Sequence, residues 1–104
     1  MKNLVPGHTY ELPNFENTDK PGQELQFIHK VPSKDDPTQL VTVADGTTNE
    51  AVLEAMLDRM MYLQSAFPCK ENACCITHLQ EALMWLEKRT RDREKRGVEG
   101  KHLK

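Results

Sequence analysis

A chain of 104 residues with 16 acidic and 14 basic side chains carries a formal charge of −2. That length sets one domain with a small core, and so nearly balanced a charge excludes the strongly basic profile of a general nucleic-acid binder. No run of about 20 apolar residues is available to span a bilayer, and "MKNLVPGHTYELP" lacks the apolar stretch of a secretory signal, so a cytosolic protein is expected.

In chain order, the first half reads as β-structure. "HTYELPNF", "ELQFIHKV" and "QLVTVAD" are short strand-like runs with partial two-residue alternation. The connections "ENTDKPGQ" and "PSKDDPTQ" are polar and rich in turn formers. Three short strands joined this way predict an antiparallel meander, with Pro13 at a strand end or edge.

The second half reads as helix. "DGTTNEAVLEAMLDRMMYLQSAF" opens with a capping box, Thr47 accepting from the N–H of Glu50 and Glu50 reaching back to Thr47. Leu53, Met56, Leu57, Met60, Leu63 and Phe67 then form a helical stripe. Pro68 ends the helix at Phe67. A second helix is predicted from about Glu71 to Arg96, with Ile76, Leu79, Ala82, Leu83 and Leu86 inward and Gly97 as its C-terminal cap. So short a connection forces an antiparallel hairpin. The expected fold is α+β, one domain over residues 1–104, with a small antiparallel sheet in 1–46 followed by a helical hairpin in 47–104. A core this small calls for help, and association of subunits is the usual form when disulfides are absent.

Three cysteines, Cys69, Cys74 and Cys75, fall within seven residues. An odd number so crowded excludes a disulfide framework. With His78 they offer a set of soft metal ligands, but neighbouring cysteines on a helix point about 100° apart. The simpler reading makes Cys74 and Cys75 small apolar fillers, and no metal is expected. His8, His29, His78 and His102 form no paired motif, and no phosphate loop is present, so neither a catalytic residue nor a cofactor is assigned.

Charge is unevenly divided. Residues 1–58 hold ten acids and four bases, while residues 59–104 hold ten bases and six acids. Six of the bases, Lys88, Arg89, Arg91, Arg93, Lys95 and Arg96, crowd the end of the second helix. Two readings stand open. Bases complement the C-terminal helix dipole, and a run of mixed charge is usually a solvated face; alternatively, guanidinium forks build an anion site. Arg89 and Arg93, one turn apart, share a face on which Arg89 should lie beside Glu50 and Arg93 near Gly46, whereas Arg91 should point to solvent.

The words "DGTTNEAVLEAMLDRMMYLQSAFPCKEN" and "EALMWLEKRTRDREKRGVEG" resemble the first Thoeris anti-defence family of bacteriophages, small sponges that sequester cyclic ADP-ribose-type immune signals. The hairpin is similar to that of the phage anti-CBASS sponge, which traps cyclic oligonucleotides, and "GHTYELPNF" and "QFIHKV" look like this family's small sheet. The resemblance implies a homodimeric or hexameric protein in the cytoplasm of the infected bacterium that binds its signal, glycocyclic ADP-ribose foremost, without cleaving it. It implies no membrane and no nucleic-acid partner. It also implies four ligand contacts. Arg89 and Arg93 would meet the pyrophosphate, Tyr62 would stack on adenine, and the amide of Asn72 would bond a base edge or ribose hydroxyl. Each has an ordinary alternative: Tyr62 as packing with its hydroxyl at the rim, Asn72 as a helix cap. Asn72 and Arg89 lie 17 residues apart on one helix, about 25 Å. A dinucleotide-sized ligand touching both must therefore sit between two chains. Two other functions compete: a sponge for cyclic di- or trinucleotides, and a regulatory module holding nucleic acid on its basic helix, which a steep salt dependence would reveal.

Overall fold

The computed structural model describes residues 1–98 and 101–102. They form two compact units, Met1–Thr47 and Thr48–Lys104. The first contains five strands rather than three: β1 (Lys2–Val5), β2 (Thr9–Leu12), β3 (Gln23–Gln26), β4 (His29–Pro32) and β5 (Leu40–Ala44). β1, β2 and β3 make an antiparallel meander, and β4 and β5 pair separately as a second antiparallel sheet.

The expected single sheet is therefore two small sheets, and the cause lies in "FI". "ELQFIHKV" reads as one strand, but its middle backbone groups bond elsewhere. The Phe27 N–H donates to the His8 carbonyl at 2.8 Å, and the Ile28 N–H donates to the Thr47 carbonyl at 2.9 Å. The chain leaves one ladder at Gln26 and enters the other at His29. β1 went unpredicted because all four of its residues are exposed; it has no buried face to impose alternation. Its pairing is set by the turn that follows. The His8 N–H donates to the Val5 carbonyl at 2.9 Å around Pro6–Gly7, with Gly7 at φ 80°, as a type II turn demands. Pro13 directly follows β2, at the strand end expected of it.

Polar and ring contacts tie this unit together. The Thr9 hydroxyl, buried, donates to Gln26 Oε1 at 2.6 Å. Tyr10 meets Phe27 edge-on at 5.9 Å, and His8 stacks on His29 with ring centres 3.7 Å apart.

The second unit is a pair of packed helices, α1 (Asn49–Ala66) and α2 (Lys70–Lys95). Leu53, Leu57, Met60 and Leu63 on α1 and Ile76, Leu79, Leu83 and Leu86 on α2 are half-buried along the predicted stripes, whereas Met56, Phe67 and Ala82, expected in the same stripes, are exposed. The cap of α1 is Thr48, not Thr47: its Oγ1 accepts from the Ala51 N–H at 3.1 Å. Thr47 is already committed, since its N–H donates to the Gln26 carbonyl and its own carbonyl accepts from Ile28. The frame thus moves one residue, and Ala51 replaces Glu50 at the third position, where a capping box needs an acid or amide. At the other end, the Phe67 N–H donates to the Leu63 carbonyl at 2.9 Å before Pro68.

The turn between the helices is held from both sides. Gln64 Oε1 accepts from the Cys69 N–H at 3.0 Å, and Gln64 Nε2 donates to the Cys69 carbonyl at 3.2 Å. Cys69 caps α2, its Sγ accepting from the Asn72 N–H at 3.4 Å. Among the described residues no apolar side chain is fully buried, while Phe15, Tyr62, Phe67 and Trp85 are 97%, 72%, 81% and 62% exposed.

Candidate functional site

α2 has 26 residues and α1 has 18, so α2 is about 39 Å long against about 27 Å. Its basic end runs past the start of α1. The start of α1 and the end of α2 share a depression of 450 Å³ lined by Thr48, Glu50, Glu87, Thr90, Arg91 and Glu94, which fixes the hairpin as antiparallel. Here the expected neighbourhood changes. Arg91, not Arg89, lines the wall with Glu50, because the two arginines lie about 200° apart around the helix. The depression is bordered by three carboxylates and one guanidinium, a poor receptacle for an anion.

The basic residues are not equivalent. Lys88 donates to Asp92 Oδ2 at 2.8 Å, and that hydrogen bond holds the Asp92 carboxyl below its ordinary value. Arg89 is exposed and makes no hydrogen bond or ion pair among the described residues. Arg93 is buried, with 6% of its surface exposed. Its Nη2 donates to the Val98 carbonyl and to the Lys101 carbonyl, each at 2.8 Å.

The expectation that both arginines stand on an open helix face is corrected at Arg93. Gly97, at φ 70°, ends α2. Its N–H donates to the Glu94 carbonyl at 3.0 Å, and the Val98 N–H donates to the Arg93 carbonyl at 3.0 Å. This is a Schellman closure, and it reverses the chain over the arginine. Sequence reading identified Gly97 as a cap. It missed the return of the Val98 and Lys101 carbonyls to Arg93, because a glycine after a helix signals a reversal but not its direction.

Tyr62 and Asn72 lie at the opposite end, flanking the turn. Tyr62 is the more open; Asn72 is half-buried in the first turn of α2, where its backbone N–H serves the Cys69 cap. Along one chain, Tyr62 and Asn72 fall at the turn end of the hairpin and Arg89 and Arg93 at the other end. One chain does not join the pairs, which the helix holds about 25 Å apart. Of the soft side chains near the turn, Cys69 is engaged as a cap, Cys74 is exposed, Cys75 is half-buried, and His78 lies 4.0 Å from Glu81. Among the described residues no three His, Cys, Asp or Glu side chains gather as metal ligands.

A family profile described as "Acb2/Tad1, hairpin domain" matches residues 25–91. That span takes in β4, β5, α1 and most of α2, with Tyr62, Asn72 and Arg89, and stops two residues short of Arg93. The chain is also 55% identical over 62 residues to "Thoeris anti-defense 1" of Bacillus phage SBSphiJ7. The aligned stretch is 59% of this chain but only 44% of that protein, so the chain spans about half the length of its curated relative. No helix among the described residues is long and apolar enough to cross a membrane. The matched span covers more than half of the chain, including all of α1 and most of α2, so the chain belongs to the Acb2/Tad1 hairpin-domain family, with a Thoeris anti-defence protein among its relatives.

Proposed function

We propose that this chain is a phage anti-defence sponge. It binds and sequesters a cyclic ADP-ribose-type Thoeris signal, glycocyclic ADP-ribose foremost, in the cytoplasm of the infected bacterium, and releases it chemically unchanged. The observation that carries this reading is the family match across the hairpin, together with 55% identity to a Thoeris anti-defence protein.

In this reading the four residues divide the ligand between them. Arg89 and Arg93 take the pyrophosphate, whose charge suits guanidinium forks. Tyr62 offers a flat face to adenine. Asn72 supplies one donor and one acceptor for a base edge or ribose hydroxyl. The 25 Å between the pairs requires two chains per pocket, and two antiparallel hairpins related by a two-fold axis give two equal pockets. The absence of fully buried apolar side chains among the described residues supports association into a homodimer or hexamer. Cyclic di- and trinucleotides form a second ligand class, favoured by the similarity of the hairpin to the anti-CBASS sponge.

Protein exposed to a mixture of cyclic signals, washed and heated, should release intact glycocyclic ADP-ribose by mass spectrometry, and calorimetry should give one ligand per chain. Time-dependent appearance of ADP-ribose would identify an enzyme instead. Release of cyclic oligonucleotides alone would move the protein to the second ligand class.

A further inference from the structure

The loop between β2 and β3, residues 13–22, is stitched at its base. Asn14 Nδ2 donates to the Asn17 carbonyl at 3.4 Å and to the Pro21 carbonyl at 3.0 Å, and Asn14 Oδ1 accepts from Gln23 Nε2 at 3.4 Å. Glu11 Oε1 accepts from the Gly22 N–H at 3.1 Å. Gly22 packs so closely that a Cβ there would meet the Leu12 carbonyl. On this ordered loop, directly after Asn14, stands Phe15, 97% exposed and the most exposed large apolar side chain among the described residues. A single exposed ring needs no explanation by itself. This one shares its loop with an open cavity of 340 Å³, whose walls include Lys2, Glu11, Pro13, Asp19, Lys20 and Pro21. Phe15 does not line it, so the ring leaves its own chain's cavity unfilled.

We propose that this loop docks a second copy of the chain, the Phe15 of each entering the cavity of the other. The inference draws strength from the hairpin pair of the proposed function and does not depend on the ligand.

A cavity of about 150 Å³ already accepts a benzene ring, so the volume suffices. Pro13, Pro21 and the stems of Lys2 and Lys20 give the ring apolar walls. Charge follows the same register. Glu16, next to the anchor, makes no ion pair among the described residues, and neither do Lys2 and Lys20. Docking brings that carboxylate to those ammonium groups. Of the acids in the cavity, Glu11 is already bound to the Gly22 N–H, which leaves Asp19. The edge strand β1, which contributes Lys2, adds exposed Leu4 and Val5 to the patch. Knob and hole on one patch make the contact two-fold. One ring buries about 150–250 Å², short of the roughly 800 Å² per partner of a stable interface. The contact is therefore weak between single chains and gains strength where paired hairpins present two loops at once. Two different two-fold contacts per chain close into a tetramer or a hexamer.

Light scattering of wild type, Phe15→Ala, Lys20→Glu and the charge swap Glu16→Lys with Lys20→Glu tests this. Phe15→Ala should keep its circular dichroism and urea midpoint, because so exposed a ring supports nothing in its own chain. Its mass should fall to about half or a third of the wild-type value, as a tetramer or hexamer reverts to hairpin pairs. Loss of an anchor of this kind weakens assembly about 30-fold or more. Lys20→Glu should lower the mass as well, and the swap should recover part of the loss. If the hairpins do not pair, wild type at millimolar concentration should still form a dimer that Phe15→Ala does not, and a wild-type monomer there overturns the proposal. A Phe15→Ala chain as large as wild type overturns it too, and so does a swap that recovers nothing.

Discussion

Arg89, Arg91 and Arg93 lie within five residues and have three different fates. Arg89 stands exposed, Arg91 joins a wall of carboxylates, and Arg93 is covered by the returning chain. Arg89→Ala should leave stability within about 0.5 kcal/mol, as exposed substitutions do. It should weaken ligand binding by about 2–5 kcal/mol, roughly 30- to 4,000-fold, as loss of one partner of a pocketed charge pair does. Arg91→Ala should change affinity by less than about threefold, a screened surface charge. Calorimetric titration separates the two, and equal losses would mean a diffuse cationic patch. Arg93→Ala belongs to another class. It strips two backbone carbonyls of a donor in a covered site, so it should cost about 1–3 kcal/mol of stability besides its effect on binding, measured by urea unfolding. The presence of these arginines on one helix end was legible in the sequence. The split between Arg89 and Arg93 was not, since one helical turn of spacing says they share a face and nothing about what lies over it.

At the scale of elements, the helices were legible and the sheets were not. Two apolar stripes, Pro68 and Gly97 set the helix ends to within a residue or two. β1 had no buried side from which to infer it, and "ELQFIHKV" gave no hint that Phe27 and Ile28 hand the chain from one sheet to another. Thr47 and Thr48 were equally good caps by residue type. The pairing of Thr47 with Gln26 and Ile28 decided between them, and that is a long-range contact. The inter-helix turn offers a further test. A thiol sulfur is a weak acceptor, and serine is among the preferred cap residues. Cys69→Ser should therefore stabilise the hairpin, by about 0.5 kcal/mol or so. Gln64→Ala removes both bonds to Cys69 and should destabilise by about 0.5–1.5 kcal/mol. Shifts of the urea midpoint in opposite directions check both. Equal midpoints would mean that the turn is held by packing alone.

For the whole molecule, the composition foretold a small core, and the chain goes further: among its described residues no apolar side chain is fully covered. Two half-buried helices leave Trp85 and Tyr62 in water, and such a chain gains much by pairing. The midpoint of thermal unfolding should therefore rise with protein concentration across the micromolar range, as mass action requires when assembly and folding are linked. Light scattering should give a dimer or a multiple of one. A concentration-independent midpoint, with a monomer that still binds one ligand per chain, would remove the pocket shared between subunits.

Under the proposed function, the separation of Tyr62 and Asn72 from Arg89 and Arg93 along one hairpin would have a bearing on infection timing. With half of the proposed site at each end, a newly translated polypeptide would own nothing that captures a signal. At low expression the number of complete traps would grow with the square of the amount synthesised, because each trap would need two molecules to meet. Early in infection such an inhibitor would be nearly inert, and a twofold change in promoter strength would alter capture about fourfold. Once synthesis outpaces the dissociation constant of assembly, that dependence relaxes to a simple proportion. The threshold is set by the strength of the subunit contact and not by the affinity for the signal, so the two can be tuned apart.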